Sequence, residues 1–446
     1  MRRQAATSKG LLRRLGDLQF NTVEDQRVAG KVAYSMELIL RVLVFGIVTA
    51  TRSVRDVENR TLQVAAKSGA ELGITSKIAD NTFGKVLPRV EHSDLTACLA
   101  RMVKAEHRRG NLEPRVLPVG TVAIDGKNVA TLRWPDLCRV LKFDPQQAAP
   151  LEVKALLARN YPEVQFCIPR QGLPYALARV HTVTLISSSA AVCLHQRPTL
   201  GHTNEVGSMP ELLPEIYQAY GRTNLITMVT TDAGNTSLKV AGLILAYLWD
   251  YFLQIKSEHG ALYEEAVTAL DSMVDDQADW SNVDLQNGKV VTYHLWQHDL
   301  EGQGWLDWTH ARQLVRLQRT VEDPVTGEVT VGQRYYVTNK TPHELSAKAC
   351  GKLSRAHWRC ENETHWTADV ESQEDRRRLA WSRHPKGVFI VSLLRRIGFN
   401  IMAVVRQLSR LGHSRERPAW HQVAEHFLLV HCGSILETEA FDADIA

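Results

Sequence analysis

Two short apolar runs that each end in an aspartate constrain this chain more than any other feature. Residues 119–124 lead into Asp125-Gly126, and residues 225–231 lead into Asp232. Apolar runs of this length are typical of strands that are buried on both faces, and such strands occur in sheets covered by helices. Ligands bind outside the carboxyl ends of the strands in open α/β sheets. The pattern therefore predicts an α/β fold with two carboxylates side by side at one edge of the sheet.

The sequence around these runs predicts a mixed layer of strands and helices. Residues 178–197 alternate in polarity, are rich in β-branched side chains and have a Ser-Ser-Ser turn, which predicts an antiparallel hairpin. Apolar spacing predicts helices over residues 209–220 and 237–246, followed by a strand over residues 251–255. Residues 134–175 are predicted to be rich in loops. The order of strand, hairpin, helix, strand, helix and strand indicates a mixed α/β layer.

The flanking regions differ from this layer in their periodicity. Apolar residues at three- and four-residue spacing predict helices near the N-terminus and again after Pro342. Between the layer and the later helices lies an acidic, strand-like region with a turn at Asp323-Pro324-Val325-Thr326-Gly327. The predicted division is a helical N-terminal domain (1–117), the first part of the core (118–259), a β-rich insertion (260–341), the last core helices (342–410) and a C-terminal tail (411–446).

Composition limits the compartment and the kinds of site. The longest apolar run, residues 38–50, contains Arg41 and is shorter than the roughly 20 residues that a membrane helix needs. No apolar stretch with a cleavage site follows the basic N-terminus, so we expect a cytoplasmic protein without a membrane partner. The seven cysteines form no C-x-x-C pair, which argues against a disulfide framework and a structural zinc site. We expect the cysteines to be reduced and to lie in the protein core.

Charge is unevenly distributed, although the net charge is only +4. Residues 1–116 carry 20 Lys and Arg against 12 Asp and Glu, and residues 352–417 carry 14 against 7, while the middle of the chain is acidic. Two basic flanks around an acidic centre suit an enzyme that binds a polyanion and holds cations at its reaction site. Solvated charged surfaces are the alternative explanation.

The two aspartates, placed side by side, would make a site for a divalent cation. Mg²⁺ prefers oxygen ligands, and two ions about 3.5–4 Å apart can hold the attacking and leaving oxygens of a phosphodiester. Taken singly, an aspartate after a strand more often forms a turn or caps a helix.

A third carboxylate is not fixed by spacing alone. Glu361, His365 and Asp369 recur every four residues and would share one face of a helix, where a surface network of ion pairs is the alternative. His357 and His365 raise the question of zinc, but without a cysteine pair Mg²⁺ or Mn²⁺ is preferred.

Five blocks of sequence carry a resemblance to a known family, and they occur in the same order as in that family. The blocks are Val122-Ala123-Ile124-Asp125-Gly126-Lys127; Thr203-Asn204-Glu205 with Met209-Pro210-Glu211-Leu212-Leu213; Thr230-Thr231-Asp232-Ala233; Asp250-Tyr251-Phe252-Leu253-Gln254-Ile255-Lys256; and His357-Trp358, Glu361-Asn362, His365-Trp366, Asp369-Val370 and Glu374-Asp375. Over residues 38–400 the chain thus resembles the DDE transposases of bacterial insertion sequences, in the branch that includes the H-repeat-associated proteins.

The resemblance implies an RNase H-like core in which Asp125, Asp232 and Glu361 are both the catalytic residues and the metal ligands. It implies two Mg²⁺ or Mn²⁺ ions per active site, cleavage of DNA at the ends of the element and strand transfer into target DNA. It also implies an N-terminal helical DNA-binding domain, double-stranded DNA as the partner and a homodimer on paired ends.

The chain departs from the family at three places. Asn128-Val129-Ala130 follows the first block where a basic run is usual, and Gly234-Asn235-Thr236 follows the second aspartate. The Tyr-Arg-Glu-Lys signature of the wider superfamily is missing, and its other positions hold Ser354, His357 and Ala368. These departures bear on how a DNA strand is positioned more than on metal binding.

Several polar residues near the predicted site are candidates for DNA contact. Two lysines could contact phosphate, although surface lysines are commonly only solvated. Two arginines one turn apart near Glu361 could bind phosphate through both nitrogens of the guanidinium group. An Asn-Glu pair before a helix could position DNA or equally cap the helix. The predicted DNA-contacting residues are Lys127, Asn204, Glu205, Lys256, Arg355 and Arg359.

Two other functions remain open at this point. A decayed or domesticated sequence-specific DNA-binding protein would keep the basic regions without cutting DNA, and the presence of all three acids argues against it. A nuclease that hydrolyses DNA without strand transfer could use the same three acids.

Overall fold

The computed structural model describes residues 2–203, 205–301, 304–370, 374, 381–408 and 417–432. Ten strands in these residues form one mixed sheet. They are β1 (Thr121–Arg133), β2 (Val164–Cys167), β3 (Tyr175–Leu185), β4 (Val192–Pro198), β5 (Met228–Thr231), β6 (Asp250–Ile255), β7 (Trp280–Gln286), β8 (Lys289–Asp299), β9 (Gln313–Glu322) and β10 (Val329–Thr338).

Helices precede, connect and follow the strands. The N-terminal helices are α1 (Arg2–Asp17), α2 (Met36–Val48), α3 (Val54–Lys67), α4 (Gly69–Leu72), α5 (Asp80–Val86) and α6 (His92–Arg108). The later helices are α7 (Trp134–Leu141), α8 (Pro150–Asn160), α9 (Glu205–Tyr220), α10 (Leu238–Ala246), α11 (Ala261–Leu270), α12 (Ala347–His357), α13 (Trp366–Val370), α14 (Pro385–Leu408) and α15 (Trp420–His431), and a π-helix, Cys360–His365, lies between α12 and α13.

The central strands combine both directions of pairing. β1 runs antiparallel to β3 and parallel to β5, and β5 runs parallel to β6. β3 pairs antiparallel with β4 along one part of its length and with β2 along another. The order β4-β3-β1-β5-β6 therefore has an antiparallel group of three strands followed by two strands parallel to β1.

The β-rich insertion continues this sheet rather than forming a second one. β10 pairs antiparallel with β6, and β9, β8 and β7 follow in order. A two-residue turn, Asn287-Gly288, joins β7 to β8, and both residues have positive φ as a type I′ turn requires. The predicted turn at residues 323–327 is confirmed, since the Val325 backbone N–H donates to Asp323 Oδ1 (2.9 Å) and Gly327 has φ 73°.

Both faces of the sheet are covered, because successive side chains of a strand point to opposite sides. Val122 and Ile124 pack into the main core, which also contains the N-terminal helices and α14. Ala123 packs into a second core on the other face, which includes Leu353 and Cys360 near the end of α12. α14 is long and apolar enough to cross a membrane by length and composition, but 94% of its apolar window is buried in this protein. It is the central core helix.

Several sequence predictions of local structure are confirmed. The hairpin over residues 178–197 is formed by β3 and β4, and the predicted helices over residues 209–220 and 237–246 correspond to α9 and α10. The Ser237 side chain caps α10 by accepting from the Val240 backbone N–H at 3.2 Å. All seven cysteines are free, and six are buried.

Three predictions differ from the structure. β1 does not end at Asp125-Gly126 but continues to Arg133, because β3 stays paired with it throughout. The region 134–175 is not mainly loop, since it contains α7, α8 and β2, and Trp134 and Val153 pack in a small core of their own. The predicted tail contains α15, whose Phe427 is fully buried in the main core.

Candidate active site

The parallel strands β1 and β5 place two aspartates at the same level of the sheet. Ile124 pairs with Thr231 as the last pair between these strands, and the next residues are Asp125 and Asp232. Neighbouring strands lie about 4.8 Å apart. β5 ends here, whereas β1 continues beside β3, where Asp125 pairs with Thr182. The crevice predicted at the carboxyl ends of the strands therefore opens where β5 ends, although Asp125 itself lies within a longer strand.

Asp125 is held by a buried histidine. His365 Nδ1 lies 3.3 Å from Asp125 Oδ2, and His365 Nε2 lies 3.0 Å from the hydroxyl oxygen of Thr182. Thr182 Oγ1 also donates to the backbone oxygen of Asp125 (3.2 Å). Burial raises the pKa of Asp125, but the hydrogen bond and charge of His365, together with the charge of His357, outweigh this effect and leave the pKa below its ordinary value. Asp125 is therefore kept as a carboxylate.

Asp232 caps the turn that follows β5. Its Oδ1 accepts from the Asn235 backbone N–H (3.0 Å) and from Asn235 Nδ2 (2.8 Å), which is the capping role commonly found for an aspartate after a strand. The other oxygen, Oδ2, lies beside Gly234, where an added Cβ would stand 3.4 Å away. Asn235 thus orients the carboxylate and leaves one oxygen facing a residue without a side chain.

Glu361 lies on the π-helix above these strands. The structure forms a π-helix here, with hydrogen bonds between residues five apart, and the shared face of Glu361, His365 and Asp369 stays a prediction. Glu361 is exposed, His365 turns inward to Asp125, and Asp369 binds Lys127. Partial burial raises the pKa of Glu361, and the negative charges of Asp125 and Asp232 raise it further. The three acids therefore interact through their charges.

The donor set fits a hard cation better than zinc. Among the described residues, no three Asp, Glu, His or Cys side chains converge into a ready-made metal cluster. Mg²⁺ commonly takes only one or two protein carboxylates and completes its shell with water and substrate phosphate, so two neighbouring aspartates suffice to begin such a site. His357 is engaged with Thr230 Oγ1 at 3.1 Å, and burial lowers its pKa.

Two positive side chains that were predicted to contact DNA instead form hydrogen bonds and ion pairs within the protein. Lys127 is 8% exposed, and its Nζ donates to Asp369 Oδ1 (2.5 Å) and His365 O (3.1 Å) and lies 3.5 Å from Glu374 Oε2. Arg359 donates to the Glu363 carboxylate and to the backbone oxygens of residues 186, 188 and 189. All five of its N–H groups are thereby used. This geometry gives both residues structural partners and does not support their predicted contact with DNA.

The other predicted contacts have different surroundings. Lys256 is exposed just beyond β6. Arg355 forms an ion pair with Asp284 and packs over the Tyr293 ring at 4.8 Å. Asn204 lies outside the described residues, and of Glu205 the structure describes only the backbone, as the first residue of α9.

Sequence reasoning missed three residues of the site. Thr182 and His181 come from β3, and Cys360 Sγ lies 4.0 Å from Asp125 Oδ2. His181 is fully buried, its Nδ1 is 2.6 Å from Ser208 Oγ, and burial lowers its pKa to about 4. The pairing of β3 with β1 brings Thr182 and His181 to the site, and no local motif reveals this register.

The chain matches no protein-family model. It is similar to YncI of Escherichia coli O157:H7, which is named as a transposase, with 27% identity over 242 residues that cover 50% of this chain and 56% of that protein. It is 24% identical over 234 residues to the H repeat-associated transposase YhhI of Escherichia coli strain K12, covering 50% of this chain and 58% of YhhI. The chain thus spans about half the length of these two relatives.

Two further comparisons extend over more of the chain. The protein YbfL of Escherichia coli strain K12 is 22% identical over 395 residues, which is 85% of this chain and 88% of YbfL. A piggyBac transposase synaptic complex with hairpin DNA covers 98% of this chain and 81% of its own at 10% identity and a TM-score of 0.41, which is too distant to establish the fold. The named relatives confirm the predicted resemblance to transposases of the H-repeat-associated type.

Proposed function

We propose that this protein is a DNA transposase that cuts phosphodiester bonds at the ends of its element and joins the freed strands to target DNA. The observation that carries this proposal is the register of β1 and β5, which places Asp125 and Asp232 side by side at the open edge of the sheet. Burial and the negative charges of Asp125 and Asp232 raise the pKa of Glu361, which supports its assignment to the same site. The proposed transposition function agrees with the named relatives.

An RNase H-like core is the fold that we propose for the central strands. The order β4-β3-β1-β5-β6, with three antiparallel strands followed by two parallel to the first, is the order of that fold. The large mixed α/β sheet with helices on both faces supports the same assignment. The strands β7 to β10 would then be an insertion before the last acid.

Asp125, Asp232 and Glu361 would hold two Mg²⁺ or Mn²⁺ ions, which would activate water and then a 3′-hydroxyl for in-line attack on phosphorus. His365 and Thr182 hold the Asp125 carboxylate in place, and Asn235 holds that of Asp232. Such positioning accounts for most of the catalysis in phosphoryl transfer, where the protein has little covalent chemistry to perform. No covalent bond between protein and DNA is required.

Double-stranded DNA is the proposed partner, bound in part by the basic N-terminal helical region. Residues 1–116 have an excess of eight positive charges, which suits contact with phosphate. We propose a homodimer on paired DNA ends, acting in the bacterial cytoplasm. Exposed Lys256, just beyond β6, stays a proposed phosphate contact.

Cleavage of supercoiled plasmid carrying the native flanking DNA tests this function. Asp232→Asn should reduce metal-dependent products by at least about a hundredfold, more than the 10–100-fold usual for residues behind a metal ligand. Asp250→Asn is the matched control, because Asp250 begins β6 at the opposite edge and binds Asn339 and Lys340. Equal activity of the wild type and Asp232→Asn would overturn the proposal.

A DNA-binding protein that no longer cuts is the second candidate. It is favoured by one observation, namely that the acids among the described residues do not converge into a ready-made metal cluster. Tight binding to element ends without products in any metal would establish it. Nicked or linear products without joined products would instead indicate a nuclease.

A further inference from the structure

A basic groove opens between the insertion strands and the helix that leads to Glu361. Its volume is about 580 Å³, and residues of β8, β9, β10 and α12 line it. One end of the groove lies at the π-helix that carries Glu361, because Asn362 of its wall directly follows Glu361. The lining residues that matter here are Tyr293, Arg319, Arg334, Arg355, Trp358 and Asn362.

Two arginines of the groove pack over aromatic rings. The Arg334 guanidinium lies 4.3 Å from the centre of the Trp358 ring, and that of Arg355 lies 4.8 Å from the centre of the Tyr293 ring. Arg319 is exposed on β9. Among the described lining residues there are three arginines and no acid, although Asp284 pairs with Arg355 at the margin. The groove is therefore positively charged next to an acidic site.

We infer that this groove binds a short single-stranded segment of DNA that leads away from the scissile phosphate. Proteins that bind single strands combine a basic groove for the backbone with aromatic side chains on which bases stack. The volume of the groove lies within the about 300–1,000 Å³ of ordinary ligand pockets, which suits a few nucleotides of one strand and not a duplex. This inference rests on the proposed function and names the part of the substrate that the insertion strands hold.

The position of the groove favours DNA over an acidic peptide. Arg334 packs over Trp358, which directly follows His357 at the end of α12, and Asn362 of the π-helix lines the same groove. A strand whose phosphate lies at Asp125 and Asp232 can therefore continue past Asn362 into the groove. An acidic peptide would gain the charge contacts but has no phosphodiester on which the proposed cation site could act.

Fluorescence anisotropy of the full chain with a labelled 12-nucleotide oligothymidine tests the inference. The double variant Arg319→Gln/Arg334→Gln should bind about tenfold or more weakly, and the slope of log affinity against log salt should fall by about 1.4, since each phosphate contact on a single strand contributes about 0.7. Arg170→Gln is the matched control, because Arg170 is exposed after β2, at the opposite end of the sheet. Thermal unfolding of each variant establishes that it is folded.

A second measurement requires no variant. Oligonucleotides with 5-iodouracil near the 3′ end should crosslink to Trp358, which is partly exposed, and the peptide is identified by mass spectrometry. Crosslinks confined to other regions, or a double variant that behaves like Arg170→Gln, would overturn the groove assignment while leaving DNA binding intact. A wild type that binds neither single-stranded nor duplex DNA would contradict the proposed function itself.

Discussion

Two sets of positive side chains have different surroundings, one buried near β1 and β3 (the buried half) and one lining the groove beside β9 and β10 (the groove half). Around β1 and β3, Lys127 and Arg396 are buried and ion-paired with Glu374, and Arg359 donates all its N–H groups within the protein. Around β9 and β10, Arg319 and Arg334 line an open groove. Nearness in sequence to the predicted metal ligands therefore does not identify the positive side chains that are accessible to DNA. The accessible positive side chains are distinguished by their exposure and by having fewer hydrogen-bond and ion-pair partners within the protein.

The largest expected effect is a loss of stability when the buried Lys127 is replaced. Lys127→Met leaves Asp369 and Glu374 with one fewer cation, and we expect the free energy of unfolding to fall by about 3 kcal/mol. The exposed Lys256→Met should change it by no more than about 0.5 kcal/mol. Urea unfolding followed by circular dichroism measures both.

The same two variants should rank in the opposite order when their effect on DNA binding is measured. Lys256→Met should reduce the salt slope of DNA affinity by about 1, as expected for the loss of one phosphate contact, and Lys127→Met should leave it unchanged. A stable Lys127→Met protein with a reduced salt slope would contradict the distinction between buried and accessible positive side chains.

Arg359 tests whether the geometry of the guanidinium group matters in the buried half. Arg359→Lys keeps the charge but loses the fork that reaches Glu363 and the hairpin carbonyls, so we expect a loss of about 2 kcal/mol in the free energy of unfolding, in the range of hydrogen bonds to charged groups. Arg319→Lys in the groove should cost no more than about 0.5 kcal/mol. Similar losses in both variants would contradict the comparison.

Lowering the pH should reduce the stabilisation that the ion pairs around Glu374 provide. Burial raises the pKa of Glu374, but Arg396, Lys127 and Arg395 outweigh it, so the folded pKa lies below the ordinary 4.5. The stabilisation by these ion pairs is therefore complete above pH 4.5 and is lost as the pH falls through the lower folded value. Glu374→Gln should be less stable at pH 7 and should lose less stability than the wild type between pH 5 and 3. An identical pH dependence would refute the assignment.

The sequence predicted the elements of the site better than their surroundings. Asp125 and Asp232 could be placed side by side because apolar runs before them indicated buried neighbouring strands. The residue at which β1 ends could not be predicted, because it depends on long-range pairing with β3. The Asn287-Gly288 turn was a readable hairpin signal that the prediction of strands did not use. The π-helix at Glu361 could not be predicted from the sequence, because four-residue spacing does not distinguish it from an α-helix.

The central claim is that Asp125 and Asp232 share one cation site. Electron paramagnetic resonance of free Mn²⁺ during titration of the full chain tests it directly. We expect Asp125→Asn and Asp232→Asn each to weaken Mn²⁺ binding by about tenfold or more, in line with the loss of a carboxylate from a site with few protein ligands, while Asp250→Asn binds like the wild type. Mn²⁺ binding that is unchanged in both variants, or that is lost only in Asp250→Asn, would contradict the account.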